Sequence, residues 1–278
     1  MNARRLRPAV LVLVAWNAQA AEPVTEEKTW TETYRVSNAT PRLHISNVWG
    51  NVRVRAGAGG EIAVAVVEHR SAPTQALLDQ SRKAVELSVS ADPTAVEMIV
   101  QSPDPETRRF DLCLRCRVEY QFDVSVPPGA QVDVSTVNDG RIEVSGTGGL
   151  VSASNVNGPV SVSGAHECER VESINGEIEL SFGRAPSSNC NIETINGDIS
   201  LAMPAGTGLD VALHLSRGKI ASEFDLEPVA LPAKVERTQH DQRYTYRIDQ
   251  AAGIRLGGGG PTFDIQSLNG DVHFRKSK

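Results

Sequence analysis

Along most of the chain, apolar and polar residues alternate with a period of two. Leu43 and Ile45 open the pattern; Val52 and Val54 then alternate with Asn51, Arg53 and Arg55. Ile62, Val64 and Val66 follow the turn residues Gly57–Gly60, and Val85, Leu87 and Val89 precede Val96, Met98 and Val100. Val118, Tyr120, Phe122, Val124 and Val126 alternate without a break up to Pro127-Pro128-Gly129. A period of two places one set of side chains on each face, so these segments read as half-buried strands. One stretch departs from the rule. After Pro73-Thr74, residues Ala76, Leu77, Gln80 and Ala84 recur at helical spacing, which predicts one short helix over 73–84. Residues 21–39 read as a polar lead-in, and Ser102–Arg109 as a charged loop.

From residue 135 onward the alternation is punctuated by a returning phrase. The copies are Asp139-Gly140-Arg141-Ile142, Asn157-Gly158-Pro159-Val160, Asn175-Gly176-Glu177-Ile178 and Asn196-Gly197-Asp198-Ile199. Arg217-Gly218-Lys219-Ile220 is a weaker fifth copy, and Trp49-Gly50-Asn51-Val52 and Asn269-Gly270-Asp271-Val272 bracket the array. The glycines at 140, 158, 176, 197 and 218 are separated by 18, 18, 21 and 21 residues. A lone Asn-Gly is a hairpin signal, because a type I′ turn needs positive φ at both central residues. A regular return at this period marks stacked coils instead.

Three apolar columns accompany the phrase. Ile45, Ala153, Val171, Ile192, Leu213 and Ile265 lie on its N-terminal side; Val48, Val156, Ile174, Ile195 and Leu268 immediately precede the Asn-type residue; Val52, Ile142, Val160, Ile178, Ile199, Ile220 and Val272 follow the glycine. All three columns are expected to point inward, one residue per coil at about 4.8 Å spacing. The fold class is thus all-β, a single-stranded β-helix or β-solenoid of stacked 18–21-residue coils with one short helix. The expected division is 1–20, 21–39 and a solenoid domain over 40–278.

The N-terminal end reads as a signal peptide. Arg4, Arg5 and Arg7 precede the apolar run Ala9–Trp16, and Ala18-Gln19-Ala20 is a small-x-small cleavage pattern. The formal net charge of −6 becomes −9 once Arg4, Arg5 and Arg7 leave with no acidic residue. That sign argues against nucleic acid as a partner. No later apolar run is long enough for a membrane helix. Only 5% of residues are aromatic, and Gly, Ser, Val and Asn are plentiful, which suits a turn-rich β structure.

Four cysteines agree with export. Cys168 and Cys190 hold nearly the same place on adjacent coils, so stacking brings them within disulfide range. Cys113-Leu-Arg-Cys116 is a CxxC whose local disulfide reading outweighs a redox or zinc site, since no further ligands accompany it. Glu177, Glu179 and Asp198 fall at matching positions on neighbouring coils, with Lys219 next in the column to offset them. A solvated mixed-charge face is favoured there over a cation site. Gly257–Gly260 lacks the aspartate of a calcium nonapeptide, and the six histidines show no ligand spacing. Asn157, Asn175 and Asn196 are placed to stack as an amide ladder. Trp49, standing where other copies have Asn, reads as a cap over the first coil. No catalytic residue, metal site or cofactor is expected.

The chain resembles the exported bacterial putative-adhesin family, a domain of unknown function built as a β-solenoid. The residues carrying the resemblance are Val126-Pro127-Pro128-Gly129-Ala130, the Val/Ile-Asn-Gly-x-Val/Ile turns, Gly258-Gly259-Gly260 and Ser267-Leu268-Asn269-Gly270-Asp271-Val272. It spans roughly residues 40–276. It implies a non-catalytic surface or periplasmic interaction protein, with an envelope protein or glycan as partner, and supplies no catalytic residues. A carbohydrate-active solenoid using Glu177, Glu179 and Asp198, or an envelope-stress accessory protein, is the alternative.

Overall fold

The computed structural model describes residues 22–101, 115–230, 234–240, 243–249 and 252–277; for 234–249 the strand course alone is described. The leader expected over 1–20 and Cys113 lie outside the described residues. The N-terminal third forms β1 (Val24–Arg35), β2 (Arg42–Ser46), β3 (Val52–Ala56), β4 (Glu61–Ala72), α1 (Gln75–Ala84), β5 (Glu86–Ala91), β6 (Ala95–Gln101) and β7 (Arg117–Val126). The repeat region gives strand pairs: β8 (Gln131–Thr136) with β9 (Ile142–Ser145), β10 (Leu150–Asn157) with β11 (Val160–Ala165), and β12 (Glu167–Asn175) with β13 (Ile178–Phe182). β14 (Cys190–Asn196) with β15 (Ile199–Met203), and β16 (Leu209–Arg217) with β17 (Ile220–Ser222), continue it. The remainder is β18 (Leu226–Val229), β19 (Lys234–His240), β20 (Arg243–Asp249), β21 (Ala252–Leu256), β22 (Thr262–Asn269) and β23 (Val272–Lys276).

The strands form two mixed sheets of ten and eleven strands and a separate β19–β20 hairpin. In the first sheet the order is β1-β4-β7-β3-β9-β11-β13-β15-β23-β17; in the second it is β18-β21-β16-β22-β14-β12-β10-β8-β2-β6-β5. Both are parallel through the repeat region. Their registers align like residues: Val160 pairs with Ile142 and Ile178, and Val171 pairs with Ala153 and Ile192. The inner faces of the two sheets meet in one core that includes Ile45, Val171, Ile192, Ile265, Val52, Ile178, Ile199 and Val272, all of them solvent-inaccessible.

Two expectations need correction. A single-stranded solenoid over 40–278 does not describe the pairing. β1–β4–β7, β5–β6 and β16–β21–β18 are antiparallel, and they flank the parallel region at both ends. The alternation that marks a half-buried strand is the same for parallel and antiparallel neighbours, so the sequence pattern could not separate them. The coils also do not stack in chain order: β22–β23 inserts between β14–β15 and β16–β17. The polar stretch read as a lead-in contains β1, which pairs along its whole length with β4.

At the N-terminal end the core is closed by α1. Thr74 caps it by accepting from the Leu77 amide, and Leu78, Ser81 and Ala84 face inward. Buried Arg70 of β4 fixes the helix end. Its guanidinium donates to the carbonyls of Ser81 (2.7 Å) and Val85 (2.8 Å), to the Tyr120 hydroxyl (3.1 Å) and to Glu68. The last carbonyls of a helix have no partner of their own, and here a side chain supplies one.

Candidate binding face at the glycine corner

The returning phrase forms one corner where the chain passes from the second sheet to the first. Asn157, Asn175, Asn196 and Asn269 end their strands there, and each following glycine bridges to the next strand. The corner is not a type I′ turn. Among the described residues Asp139 is the one non-glycine with positive φ (47°), so the asparagines stay outside the left-handed region. Positive φ occurs at Gly50, Gly158, Gly197 and Gly218, and a second reason for glycine applies along the whole column. A Cβ added to Gly140, Gly158, Gly176, Gly197, Gly270 or Gly218 would lie between 1.9 and 2.2 Å from the carbonyl oxygen of the preceding glycine in the stack. The column runs Gly50, Gly140, Gly158, Gly176, Gly197, Gly270, Gly218, with no room for a side chain at any step.

Two residues before each asparagine, a small polar side chain points into the core. Thr136 Oγ1 donates to the Gly50 carbonyl (3.2 Å), and Asn155 Nδ2 to that of Gly140 (2.8 Å). Ser173 Oγ donates to Gly158 (3.1 Å), and Thr194 Oγ1 to Gly176 (3.3 Å). The Gly50, Gly140, Gly158 and Gly176 carbonyls thus each receive a side-chain hydrogen bond, as buried carbonyls require.

The buried polar column sets the parity of its neighbours. Ile192, Thr194 and Ile199 face inward, so Ile195 faces out. Of the column Val48, Val156, Ile174, Ile195 and Leu268, expected inside, all but Val48, which packs against the core, therefore stand on the outer face. Ile174, Ile195 and Leu268 are 41%, 36% and 47% exposed, and Val48 and Val156 are half-buried. The register makes Val137, Val156, Ile174, Ile195 and Leu268 neighbours on successive strands. They form an outward aliphatic ridge one residue wide.

Beside the ridge runs the amide ladder. Asn157 Nδ2 donates to Asn138 Oδ1 (3.1 Å), Asn175 to Asn157 (2.9 Å), Asn196 to Asn175 (2.8 Å) and Asn269 to Asn196 (2.9 Å). Asn138, not Asp139, takes the ladder position in the first full coil. Trp49 bridges to Asn138 at one end, under the Arg117 guanidinium at 4.8 Å, and Arg217 pairs with Asn269 at the other.

Carboxylates flank this corner on both sides. Glu172 and Glu193 lie two residues before Ile174 and Ile195 on the same outward face. Beyond the glycines come Glu177, Asp198 and Asp271. Lys219 does not neighbour Asp198, because Asp271 stands between them: the Asp271 amide donates to Asp198 Oδ1 and the Lys219 amide to Asp271 Oδ1, each at 2.8 Å. Among the described residues, the only ion pair these acids make is the long Arg170–Glu172 contact of 3.6 Å. Glu177 and Glu179 are exposed on the open outer face of the first sheet.

On the far side of the coil, a disulfide joins Cys168 and Cys190, with Cα atoms 5.2 Å apart. The bridge proposed for Cys113–Cys116 falls partly outside the described residues; Cys116 Sγ lies 3.3 Å from the Leu77 carbonyl. The three extra residues of the 21-residue step loop out at 183–189, anchored on Glu167. Burial pushes that carboxyl up, but hydrogen bonds from the hydroxyls and amides of Ser187 and Ser188 outweigh it and bring it down to about 2.

A shallow hollow on the first sheet is lined by Asn51, Arg53, Gln121, Asp123, Arg141 and Glu143 over Ala65 and Val67. Its charges satisfy one another: Arg53 pairs with Glu143 (2.7 Å), Arg55 with Asp123 (2.5 Å) and Arg141 with Glu143 (3.5 Å). The Arg53 hydrogen bond holds the Glu143 carboxyl below its ordinary range. No group of three or more His, Cys, Asp or Glu among the described residues is placed to hold a metal ion. None of the described helices is long and apolar enough to cross a membrane.

No family model and no curated protein matches the chain. Among solved structures, a putative cell adhesion protein from Clostridium sporogenes aligns at 9% identity with a TM-score of 0.46, covering 91% of this chain and all of the other. A putative adhesin from Bacteroides fragilis aligns at 10% identity and a TM-score of 0.40, covering 89% and 97%. A putative lipid binding protein from Parabacteroides distasonis aligns at 10% identity and a TM-score of 0.30, covering 90% and 97%.

Proposed function

We propose that the protein is an exported, non-catalytic, adhesin-like interaction module, in which a β-solenoid-like stack of coils presents the glycine corner to a component of the cell envelope. The observation that carries this reading is the ridge. Three large aliphatic side chains, Ile174, Ile195 and Leu268, stand exposed in line on adjacent strands, on a backbone fixed by glycine stacking and the amide ladder. Lined-up exposed hydrophobics on a rigid sheet mark an interaction surface more than scattered ones do. Export is supported by the leader pattern at 1–20 and by the Cys168–Cys190 disulfide, a bond that persists in oxidising compartments.

The test compares the mature protein with a triple variant, Ile174→Ser, Ile195→Ser and Leu268→Ser, for binding to isolated envelope fractions and to a glycan array. The wild type binds at least one of them and the variant does not. Equal binding by both moves the site to another face, and binding to neither removes the adhesin-like reading.

A further inference from the structure

The most exposed part of the ridge lies between two rows of carboxylates, and this arrangement selects a partner. Ile174, Ile195 and Leu268 have Glu172 and Glu193 on one flank and Glu177, Asp198 and Asp271 on the other. Glu177 and Glu193 have no ion-pair partner among the described residues; of the nearby cations, Arg170 contacts Glu172 at 3.6 Å, and Arg217 and Lys219 stand at the end of the stack. Two copies of this chain meeting ridge to ridge would bring like charges together on both flanks, on a chain already acidic overall. An apolar strip edged with basic residues would meet complementary charge on both sides.

Spacing bears on the shape of that partner. Ridge residues recur once per strand, about 4.8 Å apart. Side chains on one face of an α-helix recur once per turn, about 5.4 Å apart, so two steps along the ridge leave a mismatch of only about 1 Å. An extended segment repeats on one face about every 6.7 Å, and falls out of step by nearly 4 Å over the same distance. A ridge one residue wide also suits the groove between adjacent side-chain rows of a helix.

Building on the interaction-module reading above, we propose that the glycine corner receives a basic amphipathic helix of an envelope protein. The helix lies along the stack with its apolar stripe on Ile174, Ile195 and Leu268 and its Lys or Arg residues over the flanking carboxylates. From Val137 to Leu268 the ridge spans about 19 Å, the length of about 13 helical residues.

The probe is a synthetic peptide of about 13 residues, built from Leu and Lys at helical period, with binding followed by fluorescence anisotropy at low and high salt. Controls are a Leu/Glu peptide of the same pattern and a scrambled Leu/Lys peptide. The patterned Leu/Lys peptide should bind and turn helical, and both controls should bind at least about 10-fold more weakly. Ile174→Ser with Ile195→Ser should weaken binding by about 10- to 100-fold at every salt concentration. Glu172→Gln with Glu177→Gln and Glu193→Gln should weaken it about 10-fold at low salt and flatten the salt dependence. All these side chains face outward, so circular dichroism and melting should be unchanged, which separates lost binding from lost fold.

Equal binding by the Leu/Glu or scrambled peptide overturns the proposal, as does indifference to the ridge variants. A dimer in sedimentation equilibrium that the ridge variants dissolve assigns the ridge to a second copy and also overturns it. If the Leu/Lys peptide fails while envelope binding still depends on Ile174, Ile195 and Leu268, the basic helix is rejected and the corner remains a binding face. If envelope binding is absent as well, both readings fall.

Discussion

The central coils and the N-terminal end of the same sheets reach closure by opposite means. Between β8 and β15 every strand lies beside its equivalent in the next coil, so glycine meets glycine, asparagine meets asparagine and isoleucine meets isoleucine or valine. At the N-terminal end β4 runs antiparallel between β1 and β7, and unlike residues meet: Arg70 lies opposite Glu26 and Val118, and its side chain closes α1 onto Tyr120. The repeat meets one geometric demand many times with the same residue type, whereas the end meets its demand once, with the buried Arg70–Glu68 pair. A defect in the first should propagate through the stack, and a defect in the second should stay local to the cap.

The largest effect is expected at the glycine column. Gly176→Ala puts a Cβ 2.1 Å from the Gly158 carbonyl oxygen, and the nearest atoms, Gly158 O, Gly158 C and Pro159 N, are all backbone, so no flexible side chain can yield. A loss of about 4 kcal/mol, near the upper end for single substitutions, should appear in urea unfolding. Gly60→Ala, with nothing within 4 Å of the added carbon, should change stability by less than about 0.5 kcal/mol. Similar losses at both sites would refute the close-approach explanation of the column.

Next comes Arg70→Met. It leaves Glu68 buried without its cation and frees the Val85 carbonyl, while Ser81 keeps only the Val85 amide, at a cost of about 3–5 kcal/mol. Hydrogen exchange should show the loss concentrated in α1, β4 and β5, with the amides of β12–β15 still protected. Removing both charges as Glu68→Leu with Arg70→Met should recover part of the loss. Uniform deprotection of the central strands would mean that cap and stack unfold as one unit.

Glu167 tests the outer side of the coil, away from the corner. Its folded carboxyl titrates near 2, below its unfolded value near 4.5, so its stabilisation is fully present above pH about 4.5 and is lost as pH falls towards 2. The side chain is only 14% exposed, and the stabilisation amounts to about 2–3 kcal/mol at neutral pH. Glu167→Gln should be less stable than wild type by about that amount at pH 7. The two proteins should converge as pH is lowered through this window; a gap independent of pH would show that the loop is held by packing instead.

Much of the fold was legible because the period of two survives tertiary packing. The strands over Val118–Val126, the helix ending at Ala84 and the Cys168–Cys190 bridge all follow from spacing along the chain. Direction and order were not legible. Nothing local tells β4 that its neighbours run antiparallel, or that β22 will enter between β14 and β16. The ridge was not legible for a different reason: aliphatic character alone puts Ile174 and Ile195 inside, against the parity of their own strands. Counting by two from Ile192 reaches Thr194, and the alternation puts that polar residue inside and Ile195 outside. Hydrophobicity competed with parity, and the glycine carbonyls, which need buried donors, decided for parity.

The smallest effect is expected in the amide ladder, and it decides what holds the corner. Asn175→Ala removes two side-chain hydrogen bonds, one to Asn157 and one from Asn196, in a solvent-exposed position where water replaces them. Such bonds contribute about 0.5–1 kcal/mol net, so the melting temperature should fall only slightly. A double-mutant cycle between Asn175→Ala and Asn196→Ala should give a coupling of about 0.5 kcal/mol, since each loses the same shared bond. A loss above about 3 kcal/mol for Asn175→Ala would transfer the main role from glycine to asparagine. It would also make the corner a polar zipper that water can compete for, and strong urea sensitivity of the central coils would follow. Under glycine stacking that sensitivity is absent, because the carbonyl contacts lie inside the ladder where denaturant reaches them only after the coils part.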